Sequence, residues 1–199
     1  MNRNVTEQLF YHINTAPAYS SHGLMEVKST YIFSKENFNP FFNYYEVMPD
    51  PMAISGLESL RLSSIQLGSF EDFQRRAFDV ANYYRLLARE LLLEKVRYES
   101  FPSAPARRNC IFLFDSKDEI EKWKNTVGAT QERWQVLEVR ATGNILKVDS
   151  MNLPQGNEPF SVWETKAYKY WNCETTNKPW TEILLEGQVL VERILEKSF

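Results

Sequence analysis

The sequence is poor in the residues that build metal and redox sites: 199 residues hold two cysteines and two histidines. Cys110 and Cys173 cannot make a disulfide framework. His12 and His22 have no Cys or acidic neighbour at metal-ligand spacing, which argues against a structural zinc. Glycine is also scarce. Its seven residues form neither a GxGxxG dinucleotide fingerprint nor a GxxxxGK[ST] phosphate loop. A GxSxG nucleophile elbow is missing as well. No apolar run approaches the roughly 20 residues a membrane helix needs. The N-terminal MNRNVTEQLFYH lacks the basic region, apolar core and cleavage site of a signal peptide. A cytoplasmic chain without metal or membrane partner is expected. Neither sign of charge dominates: 23 Lys and Arg against 26 Asp and Glu leave a net charge of −3. Nucleic acid would therefore have to be held by a local patch.

Aromatic residues are abundant, with thirteen Phe, ten Tyr and five Trp. Apolar residues at 43% and charged residues at 25% exclude wholesale disorder. The length suits one domain, residues 1–199, with a sizeable core. Cys110, inside an apolar run, reads as a reduced core thiol.

Along the chain, LFYHINT (9–15) reads as a strand broken by Pro17. Residues 30–50 mix aromatics, Asn and turn signals without a sustained period, which predicts a folded loop region. From Ser69 to about Tyr98, Phe73, Ala77, Val80, Ala81, Tyr84, Leu87, Ala88, Leu91 and Leu92 recur at three-and-four spacing, the mark of a long helix with a buried stripe. Ser69 with Asp72 gives an entry signal, and Pro102 and Pro105 close the helix. Its basic residues Arg75, Arg76, Arg85 and Arg89 are offset by Glu71, Asp72, Glu90 and Glu94, which predicts a solvated face.

The run ARRNCIFLFDS (106–116) predicts a central strand, and Ser116 with Glu119 caps a short helix after it. WQVLEVRA and ILKVDS, flanking Thr142-Gly143-Asn144, read as a hairpin. Ser161 and Glu164 are expected to cap a third helix, VWETKAYKYWN. EILLEGQVLVERIL reads as two strands broken at Gly187. Strands and helices without a regular βαβ repeat give an α+β fold with a mostly antiparallel sheet.

Three pieces of this order carry a resemblance: the strand with Tyr11-His12, the run CIFLFDSKDEIEKW, and TEILLEGQVLVERIL opening at Glu182. Together they resemble the ADP-ribosyltransferase fold of poly(ADP-ribose) polymerases and diphtheria-toxin-like enzymes. ARELLLEKVRYESFPSAPARRNCIFLFDS is similar to a poorly characterised bacterial and phage group of that fold, which includes toxin-like members. The resemblance covers roughly residues 8–16 and 86–196, and the order of the motifs carries it more than any one of them. It implies a split antiparallel sheet with one long helix and two or more shorter ones. NAD would be co-substrate, and a macromolecule (RNA or DNA ahead of protein) the acceptor. A toxin or effector of a toxin–antitoxin or phage-defence system would also need an antitoxin partner.

By the same resemblance, Glu182 would be the catalytic carboxylate beside the nicotinamide ribose. His12 would fix the substrate pose. The family often stacks a Tyr on nicotinamide; here Phe112 or Phe114 stands at that motif, with Tyr11 and the Tyr44-Tyr45 pair as further rings. Arg107 or Arg108 would hold the pyrophosphate, since a guanidinium fork matches phosphate geometry. Each residue has a plainer explanation: an exposed Glu at a strand edge, a satisfied strand histidine, a core Phe, a solvated Arg pair. The Asn–aromatic stretch 37–48 is either a stacking surface for single-stranded nucleic acid or a loop packed over the sheet edge. Phe in place of Tyr leaves a second possibility open, a non-catalytic module of the same fold that binds a nucleotide or a protein. An RNA 2′-phosphotransferase relative is a weaker third, for want of basic catalytic residues.

Overall fold

The computed structural model describes residues 2–16, 23–42, 70–127, 133–156 and 158–198. Within them the order is β1 (Arg3–Thr15), β2 (Thr30–Phe33), α1 (Phe70–Ser100), β3 (Ile111–Leu113), α2 (Lys117–Val127), β4 (Trp134–Asp149), α3 (Phe160–Trp171) and β5 (Thr181–Ser198). The class is α+β. All five strands belong to one curled sheet, and every named pairing is antiparallel.

β4 and β5 form its backbone, paired from Trp134–Ser198 to Asp149–Thr181. β1 lies on the other edge of β4, and β2 and β3 share the other edge of β5. Just past β3, Phe114 bridges to Tyr11 of β1 through two backbone hydrogen bonds of 2.9 Å. The ring β1–β4–β5–β3 thus closes on itself, which satisfies edge groups that would otherwise seek partners.

Strand alternation divides the apolar residues between two faces. Phe10, Ile111, Leu113, Leu137, Val139, Ile183, Leu185 and Val191 fill the inside of the curl. Leu146, Val148 and Leu184 face outward, under Leu92 and Leu93 of α1 and Ala167, Tyr170 and Trp171 of α3. A third cluster packs Ile13, Phe114 and Val136 beneath Ile120 and Trp123 of α2. Where both faces are covered, at Ile183–Leu185, β5 is an uninterrupted apolar run, as in other sheets buried on two sides.

Several expectations are corrected by this arrangement. Thr142-Gly143-Asn144 is not a hairpin turn, and Gly187 does not break a strand: each glycine sits mid-strand, and the two face each other across the ladder. A Cβ on Gly187 would lie 2.3 Å from the Thr142 carbonyl oxygen and 2.8 Å from the Gly143 Cα. The backbones approach too closely for a side chain, and φ of +149° and +152° suits only glycine. Within the expected loop region 30–50, Thr30–Phe33 is a strand and Pro40–Phe42 a 3-10 turn. Residues 43–50 lie outside the described residues.

The third helix starts two residues earlier than expected, at Phe160 after Pro159. Ser161 accepts from Thr165 through its carbonyl at 2.8 Å and does not cap the helix. The Ser116 cap is present, its hydroxyl accepting from Glu119 N at 3.3 Å. The Ser69–Asp72 signal falls outside the described side chains. Glu90 does not belong to a solvated face: it is buried, 8% exposed.

Candidate functional site

Glu182 is the second residue of β5, opposite Val148 of β4. Ile183 and Leu185 point inward, so Glu182 and Leu184 point outward, towards α1 and α3. Glu182 is 5% exposed, which excludes the strand-edge alternative. A carboxylate buried to this degree needs partners, and they converge from three elements. Tyr170, in the last turn of α3, donates its hydroxyl to Glu182 Oε1 at 2.6 Å. Arg107, in the 3-10 turn Arg107–Asn109 ahead of β3, donates Nη1 to the same oxygen at 2.9 Å and also to the Tyr170 hydroxyl. On its other side Arg107 Nε bonds Glu90 Oε2 of α1 at 2.9 Å. Glu90 Oε1 is held by Arg89 Nε and Nη2 at 3.1 and 2.9 Å. The result is a continuous chain, Arg89–Glu90–Arg107–Glu182, buried from Glu90 onward, with Tyr170 closing its end.

Its charges reinforce one another. Burial opposes the charge on Arg107, but Glu90, Tyr170 and Glu182 around it hold the guanidinium's pKa well above its ordinary value. Burial pushes the Glu90 carboxyl up, yet Arg107 and Arg89 outweigh it and hold it below the usual range. Tyr170 is pushed well above an ordinary phenol, first by burial and, against the opposing pull of Arg107, by Glu182 beside it, so its hydroxyl stays a donor. The Arg107 guanidinium also lies 4.9 Å over the Phe112 ring and 5.3 Å over Tyr170.

The segment leading into Glu182 is fixed just as firmly. Asp149 Oδ2 accepts from the amide and hydroxyl of Thr176 at 2.8 and 2.7 Å, and Oδ1 from the amides of Trp180 and Met151 at 3.0 Å each. Burial works against this carboxyl, but its four donors hold it below the ordinary range. Thr181 N donates to Glu119 Oε2 of α2 at 3.1 Å.

The other expected site residues separate into groups. Tyr11 and Phe114 lie side by side in the cluster beneath α2. Phe112 pairs with Leu184 and joins the outer cluster. Half-buried His12 shares the inward direction of Phe10, two residues before it, and so lies across the sheet wall from Glu182. Its Nδ1 is 2.9 Å from the Phe112 carbonyl oxygen, and burial pushes its pKa down to about 4, so the ring is neutral and donates to that oxygen. Arg107 is committed to two carboxylates. Arg108 is exposed, stands 5.4 Å over the Phe38 ring, and lines a surface cleft of about 270 Å³ with Lys35, Glu94, Arg97 and Asn109.

The described part of the Asn–aromatic stretch packs against the start of β3. Asn39 donates to the Cys110 carbonyl at 2.8 Å, Phe42 is buried, and Phe41 remains exposed. Cys110 is a buried free thiol whose pKa burial drives upward. Among the described residues, no group of three His, Cys, Asp or Glu is arranged to hold a metal, and no helix is long and apolar enough to cross a membrane. Tyr170 and Glu90 join the site only in the folded chain. Both sit on helices whose apolar spacing is visible, but nothing local marks them as partners of Glu182.

Residues 10–197 match the family described as Protein of unknown function (DUF2441). The chain belongs to that family. No curated protein matches this DUF2441 chain.

Proposed function

We propose that this DUF2441 chain is an NAD-dependent mono-ADP-ribosyltransferase of the ADP-ribosyltransferase-like fold, acting on a macromolecule with Glu182 as its catalytic carboxylate. One observation carries this: the three segments that bear the resemblance lie side by side. β3 is bonded to β5 at Phe112–Leu184, two residues from Glu182, and to β1 through Phe114 and Tyr11. They are far apart in the sequence.

The chemistry is substitution at C1′ of the nicotinamide ribose. The C1′–N bond breaks, nicotinamide leaves with the electron pair, and an acceptor lone pair forms the new bond to C1′ while its proton passes to a base or to water. The ribose gains oxocarbenium character on the way. A held negative charge beside it lowers the barrier. Both hydrogen bonds to Glu182 fall on Oε1, so Oε2 has no partner among the described residues and is the oxygen to receive a ribose hydroxyl. Tyr11, Phe112 and Phe114, which face outward as Glu182 does, are the rings for nicotinamide, and Arg108 with Lys35 suits the pyrophosphate. His12 acts in this scheme by tying β1 to β3 at the Phe112 carbonyl.

RNA or DNA is the acceptor favoured over protein, on the strength of the Asn–aromatic stretch, and the biological setting is a cytoplasmic toxin or effector with an antitoxin partner. NAD labelled on the adenylate phosphate, mixed with the protein and bacterial lysate, should yield labelled product that nuclease removes. Label removed by protease instead would make the acceptor a protein. E182Q should yield none.

A second reading is favoured by the burial of Glu182 and Arg107, 5% and 6% exposed. With its carboxylate already paired, the chain would be a non-catalytic nucleotide- or protein-binding module. Wild-type protein that binds NAD but releases no nicotinamide and labels nothing would establish that reading.

A further inference from the structure

We infer that Tyr170 is a positioning residue for Glu182: together with Arg107 it pins one carboxylate oxygen so that the other is presented to the ligand. The inference rests on the proposed transferase reading. A glutamate side chain has three rotatable bonds, and a catalytic carboxylate must be held within a fraction of an ångström of its productive place. Here one oxygen does all the anchoring. Oε1 receives the Tyr170 hydroxyl at 2.6 Å and Arg107 Nη1 at 2.9 Å. Arg107 Nη1 also donates to the Tyr170 oxygen, so the three groups form a closed triangle in which the tyrosine proton can point only at Glu182.

Each corner is fixed by a different element. Tyr170 is fully buried in α3, between Leu184 and the helix contacts with α1. Arg107 is braced from the far side by Glu90. Glu182 is held by the β4–β5 ladder. A tyrosine is suited to this task. Its ring has few rotamers, and a phenol that stays protonated cannot switch from donor to acceptor towards the carboxylate.

Tyr170→Phe removes one oxygen atom and nothing of the packing. The test is steady-state nicotinamide release from NAD by wild type, Y170F, E182Q and the double variant, with Tm recorded for each. The expected result for Y170F is a kcat lower by about 10-fold or more, the order expected for losing one hydrogen bond to a charged group, with KM for NAD changed less than about twofold. In the E182Q background the same substitution should have little further effect, because it acts only through that carboxylate. If Y170F unfolds, Glu90→Gln supplies the test: it loosens Arg107 without touching Glu182 or Tyr170 and should lower kcat with KM held. Active wild type with Y170F within twofold of it in kcat would overturn the positioning role and leave the transferase reading standing. Equal losses from Y170F in the wild-type and E182Q backgrounds would make Tyr170 merely structural. Wild type that releases no nicotinamide would instead defeat the transferase reading, and the positioning role with it.

Discussion

The two faces of the curled sheet are built on opposite principles. Inside, Phe10, Leu113, Leu137 and Ile183 make an apolar core, with the uncharged ring of His12 directed to the same side. Outside, under α1 and α3, equally buried side chains such as Leu93 and Leu184 surround Glu90, Arg107 and Glu182. The inner face gains stability by excluding water from apolar area, about 25 cal/mol for each Å². The outer face places charges where desolvation costs several kcal/mol per ion, and mutual attraction recovers that cost only with good geometry. A well-packed apolar side chain would serve stability as well or better at those positions. The outer face therefore meets a requirement other than stability. The charges are joined end to end and finish on the one carboxylate that the fold holds at the opening of β5.

The sharpest way to break this contrast is to remove the shared partner. Arg107→Met strips the guanidinium from Glu90 and Glu182 at once and should cost about 3–5 kcal/mol in urea unfolding. Replacing Glu90, Arg107 and Glu182 together by Leu, Met and Leu should leave stability near wild type, whereas Leu113→Ala on the inner face should lose about 2–5 kcal/mol. Were the triple replacement as damaging as the single one, the buried charges would be structural after all.

Next in size is the seam between the faces. Gly187→Ala introduces a Cβ 2.3 Å from the Thr142 carbonyl oxygen at a φ of +152° and should destabilise by about 3 kcal/mol. A Tm within a few degrees of wild type would show that the strands can move apart there.

A smaller effect distinguishes the faces by pH. His12, directed to the inner side, is pushed down to about 4 by burial, against an ordinary 6.5. The unfolded chain therefore takes up a proton before the folded chain does. Stability is complete above about pH 6.5 and falls as the pH drops towards 4, by about 1–3 kcal/mol. His12→Gln should flatten that decline. An unchanged slope would assign the loss to other groups.

These particulars also show which features a single sequence makes legible. The Ser116 cap, the helix α1 and the β1 strand rest on local spacing, and local spacing is visible. Which face of α1 is buried is not, since Tyr84 and Leu91 of the expected buried stripe are 42% and 64% exposed. Gly143 and Gly187 read as turn and break because glycine in one chain signals freedom. Their actual role, mutual close approach, exists only once residues more than forty apart are paired. Glu182 is reached through the order of motifs, whereas Tyr170, Glu90 and the bracing role of Arg107 depend on side chains meeting across three elements. The resemblance makes His12 a residue that fixes the substrate pose, whereas strand alternation in β1 turns it to the face opposite Glu182.

The most direct measurement is nicotinamide release from NAD by wild type and E182Q side by side, with both proteins shown to be folded. The amide of that variant keeps an oxygen for Tyr170 and Arg107 to donate to but loses the charge. The expected result is steady release by wild type and a fall of about 100-fold or more in the variant, with nucleotide affinity nearly unchanged. A variant that retains more than half of the wild-type rate would contradict a catalytic role for Glu182.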